Sequence, residues 1–341
     1  MVTSISLANS FAQRQVDALL IREGIRRDRS LDYTCGVFDD DGELIATGSS
    51  FGNTLRCFAV SDEHRGEGLL NEVVSHLVEV QFARGNSHIF LYTKPESARF
   101  FGDLGFYEIA RIKNAVFMEN RRGGFAAWCA SLEQAPQGKT AAVVMNANPF
   151  TLGHRYLVEK AAAENDFIHL FVLSEEAGPI PFAVRKRLVA EGVADLPNVI
   201  LHDSGPYIIS SATFPSYFLR DEDAAIRAHA TLDVAVFGKI AESLSITRRY
   251  VGDEPTSRVT ALYNEAMAKE LPTMGVDCIV IPRLEQNERV ISASTVRQAI
   301  HDGALDAVAD MLPESTLRYF RSAEAAFVVQ AIRAMDDPKH Y

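Results

Sequence analysis

The 341-residue chain is poor in cysteine and has a single tryptophan. Its four cysteines lie far apart, with no C-x-x-C pair and no spacing typical of a metal site. We therefore expect reduced thiols, as in a cytoplasmic protein, and no metal site built from cysteines. The four are Cys35, Cys57, Cys129 and Cys278.

Positive charge is also scarce, since 34 lysines and arginines are outnumbered by 45 aspartates and glutamates. The formal net charge of −11 would repel nucleic acid and anionic membranes on average, so we expect neither as a partner. The sequence has no apolar run of the length that a membrane span requires, and residues 1–30 carry charges throughout. We expect no signal peptide, and we see no internal repeat.

The chain does have enough apolar sequence for two ordinary domains. Hydrophobic residues make up 47% of the positions and charged residues 23%, as in globular proteins. Residues 134–139 form a short segment rich in Gln, Pro and Gly that predicts an interdomain linker. We predict one domain over residues 1–135 and another over residues 138–341.

The first domain is predicted to be α+β. Its apolar spacing indicates helices and strands in mixed order, with a D-G hairpin signal at Asp41-Gly42. This order predicts a mixed sheet covered by helices. The predicted strands are 33–38, 43–47, 55–60 and 88–92, and the predicted helices are 9–28, 68–83 and 96–104.

The second domain is predicted to be α/β. Strands and helices alternate strictly, which predicts a Rossmann-like parallel sheet whose ligands bind at the carboxyl ends of the strands. We expect the last helices, near 304–312 and 314–335, to form a cap or an oligomer contact. The predicted strands are 140–146, 167–173, 198–202, 232–238, 248–252 and 277–281, with helices at 153–164, 183–194, 220–230, 256–270 and 294–302.

The most informative motif is Asn-Pro-Phe-Thr-Leu-Gly-His at residues 148–154, directly after a predicted strand. A strand, a tight turn and a helix start in this order direct free backbone N–H groups at an anion. Gly153 lets the backbone approach phosphate closely. His154 can donate to an α-phosphate oxygen as charge develops there, and Thr151 offers a shorter donor.

A second motif, Ile-Ser-Ala-Ser-Thr-Val-Arg at residues 291–297, has the same logic. Ser292 and Ser294 can hold β- and γ-phosphates at a helix start, and Arg297 can neutralise the departing pyrophosphate. Two anion-facing helix starts in one α/β domain indicate a nucleotide triphosphate, and the triphosphate implies Mg²⁺. Alone, each motif is a weak signal, because a single histidine at a helix start is usually a cap or surface residue and Ser292 and Ser294 are also natural N-cap residues.

Further candidates lie at other predicted strand ends. Lys239 and Arg185 could face the phosphates or simply be solvated, and residues 252–255 could contact the adenosine or form a plain turn. The predicted nucleotide-binding residues are Asn148, Phe150, Gly153, Lys239, Gly252, Glu254, Ser292, Ser294 and Thr295.

Together the two motifs resemble those of the nucleotidyltransferase superfamily. Residues 146–154, 195–199 and 207–218 closely resemble the citrate lyase ligase family, and the likeness extends over most of the chain. This resemblance implies that ATP and acetate form acetyl-adenylate. The acetyl group then passes to the thiol of a dephospho-coenzyme-A-type prosthetic group on the acyl-carrier subunit of citrate lyase, and AMP and pyrophosphate are released. We hypothesise an acetate pocket in an aromatic, hydroxyl-rich loop, for which a purely structural role is the alternative: Tyr207, Ser210, Ser211 and Phe214.

In the first domain, residues 65–70 resemble the pyrophosphate loop of GCN5-related N-acetyltransferases (GNATs), although Leu70 replaces the usual small residue. Residues 95–101 and 104–106 resemble later parts of that fold. Backbone N–H groups at Arg65, Gly66 and Gly68 could bind the diphosphate of the prosthetic group. The alternative is an acetyltransferase fold that serves only for protein docking.

Two other functions remain open from the sequence. An enzyme of the same superfamily could use another acceptor, such as phosphopantetheine or nicotinamide mononucleotide. A nucleotide-sensing module could bind ATP without turnover, although intact His154, Ser292, Ser294 and Arg297 argue against it.

Overall fold

The computed structural model describes residues 1–28, 30–176, 178–208, 222–253, 258–286 and 289–338. The described residues form two compact units. One unit contains residues 1–127 with the described part of 213–235, and the other contains the described parts of 128–212 and 236–341. The predicted domain limits stay a prediction. Within the described residues, none of the helices combines the length and apolarity needed to cross a membrane.

The first unit is built on a seven-stranded mixed sheet, in the order β1-β2-β3-β4-β5-β7-β6. Short 3-10 turns occur at Asp62–His64 and Pro95–Ser97. The strands are β1 (Val2–Ser4), β2 (Tyr33–Phe38), β3 (Leu44–Phe51), β4 (Thr54–Val60), β5 (Phe90–Thr93), β6 (Tyr107–Arg111) and β7 (Val116–Glu119), and the helices are α1 (Ser10–Arg22), α2 (Leu69–Ala83), α3 (Ala98–Asp103) and, ending in the other unit, α4 (Gly124–Ser131).

Strands β4 and β5 pair in parallel, whereas the other neighbouring strands of this sheet are antiparallel. The predicted hairpin is confirmed, since β2 pairs with β3 across a turn in which Gly42 has φ +84°. Helix α2 buries Val73, Val74 and Leu77 in the core of this unit, as its apolar spacing predicts.

The second unit is built on a five-stranded sheet in the order β10-β9-β8-β11-β12, with every pair parallel. A two-stranded ribbon follows it, and 3-10 turns occur at Leu271–Met274, Leu305–Met311 and Ala323–Ala325. The strands are β8 (Thr140–Met145), β9 (Phe167–Val172), β10 (Val199–Asp203), β11 (Arg248–Gly252), β12 (Asp277–Ile281), β13 (Glu285–Gln286) and β14 (Arg289–Val290). The helices are α5 (Leu152–Glu164), α6 (Phe182–Gly192), α8 (Arg258–Glu270), α9 (Ala293–His301), α10 (Glu314–Arg321), α11 (Ala326–Arg333) and, beginning in the other unit, α7 (Glu222–Ser243).

This strand order places a topological switch point at β8. The chain runs outward from β8 through β9 to β10 and then returns to the other side of β8 with β11 and β12. Ligands of doubly wound sheets bind at the carboxyl ends of the strands beside such a point. The motif at residues 148–154 follows β8 directly, so the fold places it where a ligand crevice is expected.

One predicted strand is wrong. Residues 232–238 belong to the 22-residue helix α7, in which Leu232, Val236 and Phe237 are buried. A short apolar run with β-branched residues has the same pattern in a buried helix as in a buried strand. Lys239 therefore lies on a helix, where it is exposed, and not at a strand end. The fold class is confirmed, since a mixed α+β sheet precedes a parallel α/β sheet.

Candidate active site

The loop after β8 ends in a capped helix whose cap includes the key histidine. Thr151 is the N-cap of α5, and its hydroxyl oxygen accepts the His154 backbone N–H at 3.4 Å. In return, the Thr151 backbone N–H donates to His154 Nδ1 at 3.1 Å. The Thr151 hydroxyl also lies 2.9 Å from Nδ1. This reciprocal cap fixes the orientation of the imidazole.

The cap also settles which tautomer His154 adopts. Because Nδ1 accepts a backbone N–H, the proton of the neutral ring is on Nε2. Removal from bulk water, together with the positive charges of Arg283 and Arg297, lowers the pKa of His154 to about 4. At neutral pH the ring is therefore an uncharged donor with its N–H at Nε2. Thr151 holds this arrangement, and its own predicted contact with phosphate stays a prediction.

The second motif forms a cluster of hydroxyls at the start of α9. Ser292 is the N-cap, and its oxygen accepts the Thr295 backbone N–H at 3.1 Å. The same oxygen lies 3.0 Å from Ser294 Oγ and 2.7 Å from Thr295 Oγ1. A nine-residue helix with three hydroxyls at its positive end can bind phosphate oxygens.

The two motifs are in direct contact. A Cβ on Gly153 would lie 3.1 Å from the Ile291 carbonyl oxygen, so glycine permits this close approach. Arg297 is 5% exposed and donates to the carbonyls of Asn148 and Pro338. Arg297 thus ties the second motif to the loop of the first. Its predicted contact with pyrophosphate stays a prediction.

Asn148 carries polar atoms that no described residue satisfies. The residue is 3% exposed, and both its side-chain oxygen and nitrogen are buried without a hydrogen-bond partner in the described part of the chain. Buried amides are rarely left unpaired in this way, which makes Asn148 suited to a ligand contact. Phe150 is fully buried, with its ring 5.9 Å from that of His154 and its edge where a Cβ on Gly192 would lie. Phe150 therefore packs beside the His154 ring as part of the core and is not exposed to a ligand.

The other candidate residues for nucleotide contact differ in what the structure shows of them. Gly252 ends β11, and its carbonyl accepts from Asn264 at 3.2 Å. Glu254 lies outside the described residues. Arg185 is 1% exposed and donates to the carbonyls of Asn146, Leu173 and Ile180, which fixes the loops after β8 and β9.

Sequence reasoning missed Arg283, which lies two residues beyond β12. Its Nε donates to the Asp253 carbonyl at 2.9 Å, and its charge acts on His154. The sequence offered one signal, a basic residue just after the predicted strand at 277–281. That strand, β12, lies in the same parallel sheet as β8 and β11, so its carboxyl end lies at the same edge of the sheet as theirs. No motif contains Arg283.

The hypothesised acetate pocket is described at one residue. Tyr207 is 2% exposed, with its ring centroid 5.0 Å from that of Trp128. Ser210, Ser211 and Phe214 lie outside the described residues.

In the first unit, diverging strands open a cavity of about 680 Å³. The pairing of β4 with β5 covers the first two residues of each strand, and the later residues of both line the cavity. Gly66 and Gly68, with φ +91° and +81°, form its rim before α2. Arg65 is paired with Glu23 at 2.6 Å and with Asp62. The three residues predicted to bind the diphosphate of the prosthetic group all line this cavity.

Comparison with known proteins addresses both units. The model of the citrate lyase ligase C-terminal domain matches residues 140–320. [Citrate [pro-3S]-lyase] ligase of Escherichia coli K12 is 38% identical over 307 residues, which cover 86% of this chain and 87% of that protein. The protein of the same name from Haemophilus influenzae is 34% identical, covering 90% of this chain and 94% of its own length.

Solved structures match over the N-terminal third of the chain. An aminoglycoside 6'-N-acetyltransferase complexed with coenzyme A is 14% identical with a TM-score of 0.31, covering 35% of this chain and 95% of its own. A GNAT-family acetyltransferase from Staphylococcus aureus is 13% identical with a TM-score of 0.29, covering 36% of this chain and 100% of its own. On the strength of the family model and the relatives that cover most of its length, the chain belongs to the citrate lyase ligase family and is an enzyme of the ligase class.

Proposed function

We propose that the second unit forms acetyl-adenylate from ATP and acetate, and that the acetyl group then passes to the thiol of a coenzyme-A-type prosthetic group on the acyl-carrier subunit of citrate lyase. The observation that supports this most is the pair of helix starts beside the switch point of the parallel sheet, with His154 held as a neutral donor at the first of them. The dependence of this step on acetate can be tested directly.

In the first step, an acetate oxygen attacks the α-phosphorus of ATP. A new phosphorus–oxygen bond forms, the bond to the bridging oxygen breaks, and its electron pair leaves with pyrophosphate. His154 donates from Nε2 to a non-bridging α-phosphate oxygen and gives up no proton. Ser292, Ser294 and the N-terminus of α9 hold the β- and γ-phosphates. Orientation and charge stabilisation supply most of the catalysis in such reactions, so a protein nucleophile is not required.

We propose that Mg²⁺ enters with ATP. Within the residues that the structure describes, no group of three or more His, Cys, Asp or Glu side chains is arranged to hold a metal ion. In nucleotide sites Mg²⁺ is commonly bound by substrate phosphates and water with few protein ligands. When bound, it would offset triphosphate charge.

For acetate, we propose the segment that begins at Tyr207. Its buried aromatic ring beside Trp128 could contact the methyl group, and hydroxyls of Ser210 and Ser211 could bind the carboxylate. Tyr207→Leu, which removes the aromatic ring, and Ser210→Ala, which removes a hydroxyl, should raise the KM for acetate without raising that for ATP. An unchanged acetate KM in both variants would remove the pocket from this segment.

For the thiol acceptor, we propose that the domain predicted over residues 1–135 binds the prosthetic arm in the cavity between β4 and β5. The arm has two amide groups, and the later part of β4 offers a strand edge on the cavity side that suits an extended, amide-bearing ligand. The backbone N–H groups at Gly66 and Gly68 would bind its phosphates.

The decisive experiment is ATP–pyrophosphate exchange by the full chain with Mg²⁺, with and without acetate. Acetate-dependent exchange that His154→Ala abolishes is the expected result. His301→Ala, at a partly exposed histidine at the end of α9, serves as the matched control and should exchange normally. Exchange at the same rate with and without acetate, or a dinucleotide product formed with a mononucleotide acceptor, would overturn the assignment of acetate as the substrate. ATP binding without any exchange would favour a sensor.

A further inference from the structure

Arg283 is held at the carboxyl edge of the parallel sheet. Strands β11 and β12 end level with each other, since Gly252 pairs with Ile281. The Asp253 N–H then donates to the Ile281 carbonyl at 2.8 Å, and Arg283 Nε donates to the Asp253 carbonyl at 2.9 Å. This contact fixes the base of the guanidinium just past the strand ends, on the edge that also carries the motif after β8.

A chain of backbone contacts joins Arg283 to both motifs. The carbonyl of its neighbour Leu284 accepts the Ile291 N–H at 3.1 Å, at the start of the second motif. The Ile291 carbonyl in turn lies 3.1 Å from the position of a Cβ on Gly153, beside His154. The residue that follows Arg283 is therefore hydrogen-bonded to Ile291, which is the point of contact between the two motifs.

The two arginines near His154 have different surroundings. Arg297 is 5% exposed and donates to two main-chain carbonyls that belong to different segments. Arg283 is less buried, yet its charge lowers the pKa of His154 more than that of Arg297 does. A guanidinium keeps its charge in such a setting and can bind two phosphate oxygens at once.

We propose that Arg283 is a catalytic residue that contacts the triphosphate and neutralises the pyrophosphate as it leaves, while Arg297 positions the two motifs. The assignment rests on the proposed function. When the α-phosphorus–oxygen bond breaks, its electron pair moves to pyrophosphate, and Arg283 balances the added charge by hydrogen bonds. It transfers no proton.

The test compares nucleotide affinity and exchange in the full chain. Calorimetry measures binding of Mg·ATP, Mg·pyrophosphate and AMP to the natural protein, Arg283→Gln, Arg283→Lys and Arg318→Gln. Arg318 is an arginine on α10 with a side chain 68% exposed, and it is the matched control. Arg283→Gln should weaken ATP and pyrophosphate binding about tenfold to a hundredfold and leave AMP binding within about twofold. Arg283→Lys keeps the positive charge but loses the paired N–H donors of the guanidinium, so its affinities for ATP and pyrophosphate should be intermediate. This variant alone provides the test if Arg283→Gln does not fold.

The outcomes separate this proposal from the proposed function. Equal weakening of AMP and ATP in Arg283→Gln would mean a structural role and overturn the assignment. Normal binding of ATP and pyrophosphate by Arg283→Gln would also overturn the assignment. In either case, acetate-dependent exchange by the natural protein would still support the proposed function. Failure of the natural protein to bind ATP would overturn both.

Discussion

The backbone N–H of Thr151 donates to Nδ1 of His154 and thereby leaves Nε2 as the protonated nitrogen of the ring. Burial and two nearby arginines lower the pKa of His154 to about 4, so the ring stays neutral in the range where most enzymes work. Neutral imidazole can donate one hydrogen bond from a fixed position without first losing a proton. This relationship leads to a specific expectation for how ATP–pyrophosphate exchange responds to pH.

We predict that His154 causes no change in the exchange rate between about pH 5.5 and 8. A folded-state pKa near 4 means that the donor form is complete above about pH 5, and that protonation becomes appreciable only near pH 4. Nitrogen-15 NMR of the imidazole should show the Nε2–H tautomer at pH 7. A His154 that titrates near pH 6.5 would contradict the described arrangement.

The role of Thr151 can be separated from that of its helix cap. Thr151→Val removes the hydroxyl and should lower stability by about 1 kcal/mol. It should also slow exchange about tenfold to a hundredfold, because the imidazole loses one of its two anchors. Thr151→Ser should retain both properties. Exchange rates and urea denaturation measure the two effects.

A cap of the same kind in the other unit provides the control for Thr151. Asn9 caps α1 by accepting the Ala12 N–H at 3.1 Å. Asn9→Ala should cost a similar free energy of unfolding and leave exchange unchanged. Equal slowing in Asn9→Ala and Thr151→Val would show that the exchange rate follows general stability instead of the orientation of His154.

Much of this arrangement was predictable because its signals are local. The strand, turn, glycine and histidine of the first motif lie within 15 consecutive residues, and Ser292 has the spacing of a helix cap. The roles of Arg283 and Arg185 were not predictable. Each depends on which strands lie side by side, and strand order in a parallel sheet is set by contacts between distant segments. Residues 232–238 of helix α7 were predicted as a strand for another reason, since their buried apolar side chains fit either periodicity.

The buried pair of His169 and His202 should make the fold sensitive to acid. The two rings lie on neighbouring strands, with His169 Nδ1 2.7 Å from His202 Nε2. Burial lowers the pKa of each to about 4, below the unfolded value of about 6.5. The unfolded chain therefore binds more protons between these values. Stability should be complete above pH 6.5 and fall as pH drops toward 4, by up to about 1.4 kcal/mol per pH unit for each ring.

Urea denaturation at pH 7 and pH 5 tests the contribution of this pair. A double variant with both histidines changed to Leu should lose less stability between the two pH values than the natural chain. Some dependence should remain, because His154 also has a lowered pKa. His301→Gln, at a partly exposed histidine, is the control and should behave like the natural chain. An unchanged difference in the double variant would place the acid sensitivity elsewhere.

The glycines beside the first unit's cavity allow arm binding to be tested without disturbing adenylation. Gly66 and Gly68 have positive φ, and an added Cβ would meet nothing within 4 Å, so alanine strains the backbone without a clash. Each substitution should cost about 1–2 kcal/mol of stability. It should also turn the loop N–H groups away from a bound diphosphate and so weaken dephospho-coenzyme A binding and acetylation of the carrier thiol.

Gly85, with φ +85° just after α2, offers a matched control, because it has the same backbone strain and equally open surroundings away from the cavity residues. Gly85→Ala should lose similar stability and keep normal acetylation of the carrier. All three variants should retain acetate-dependent exchange, since adenylation is assigned to the other unit. If Gly66→Ala and Gly68→Ala acetylate the carrier as well as Gly85→Ala does, the cavity does not bind the arm, and protein docking becomes the better account of this unit.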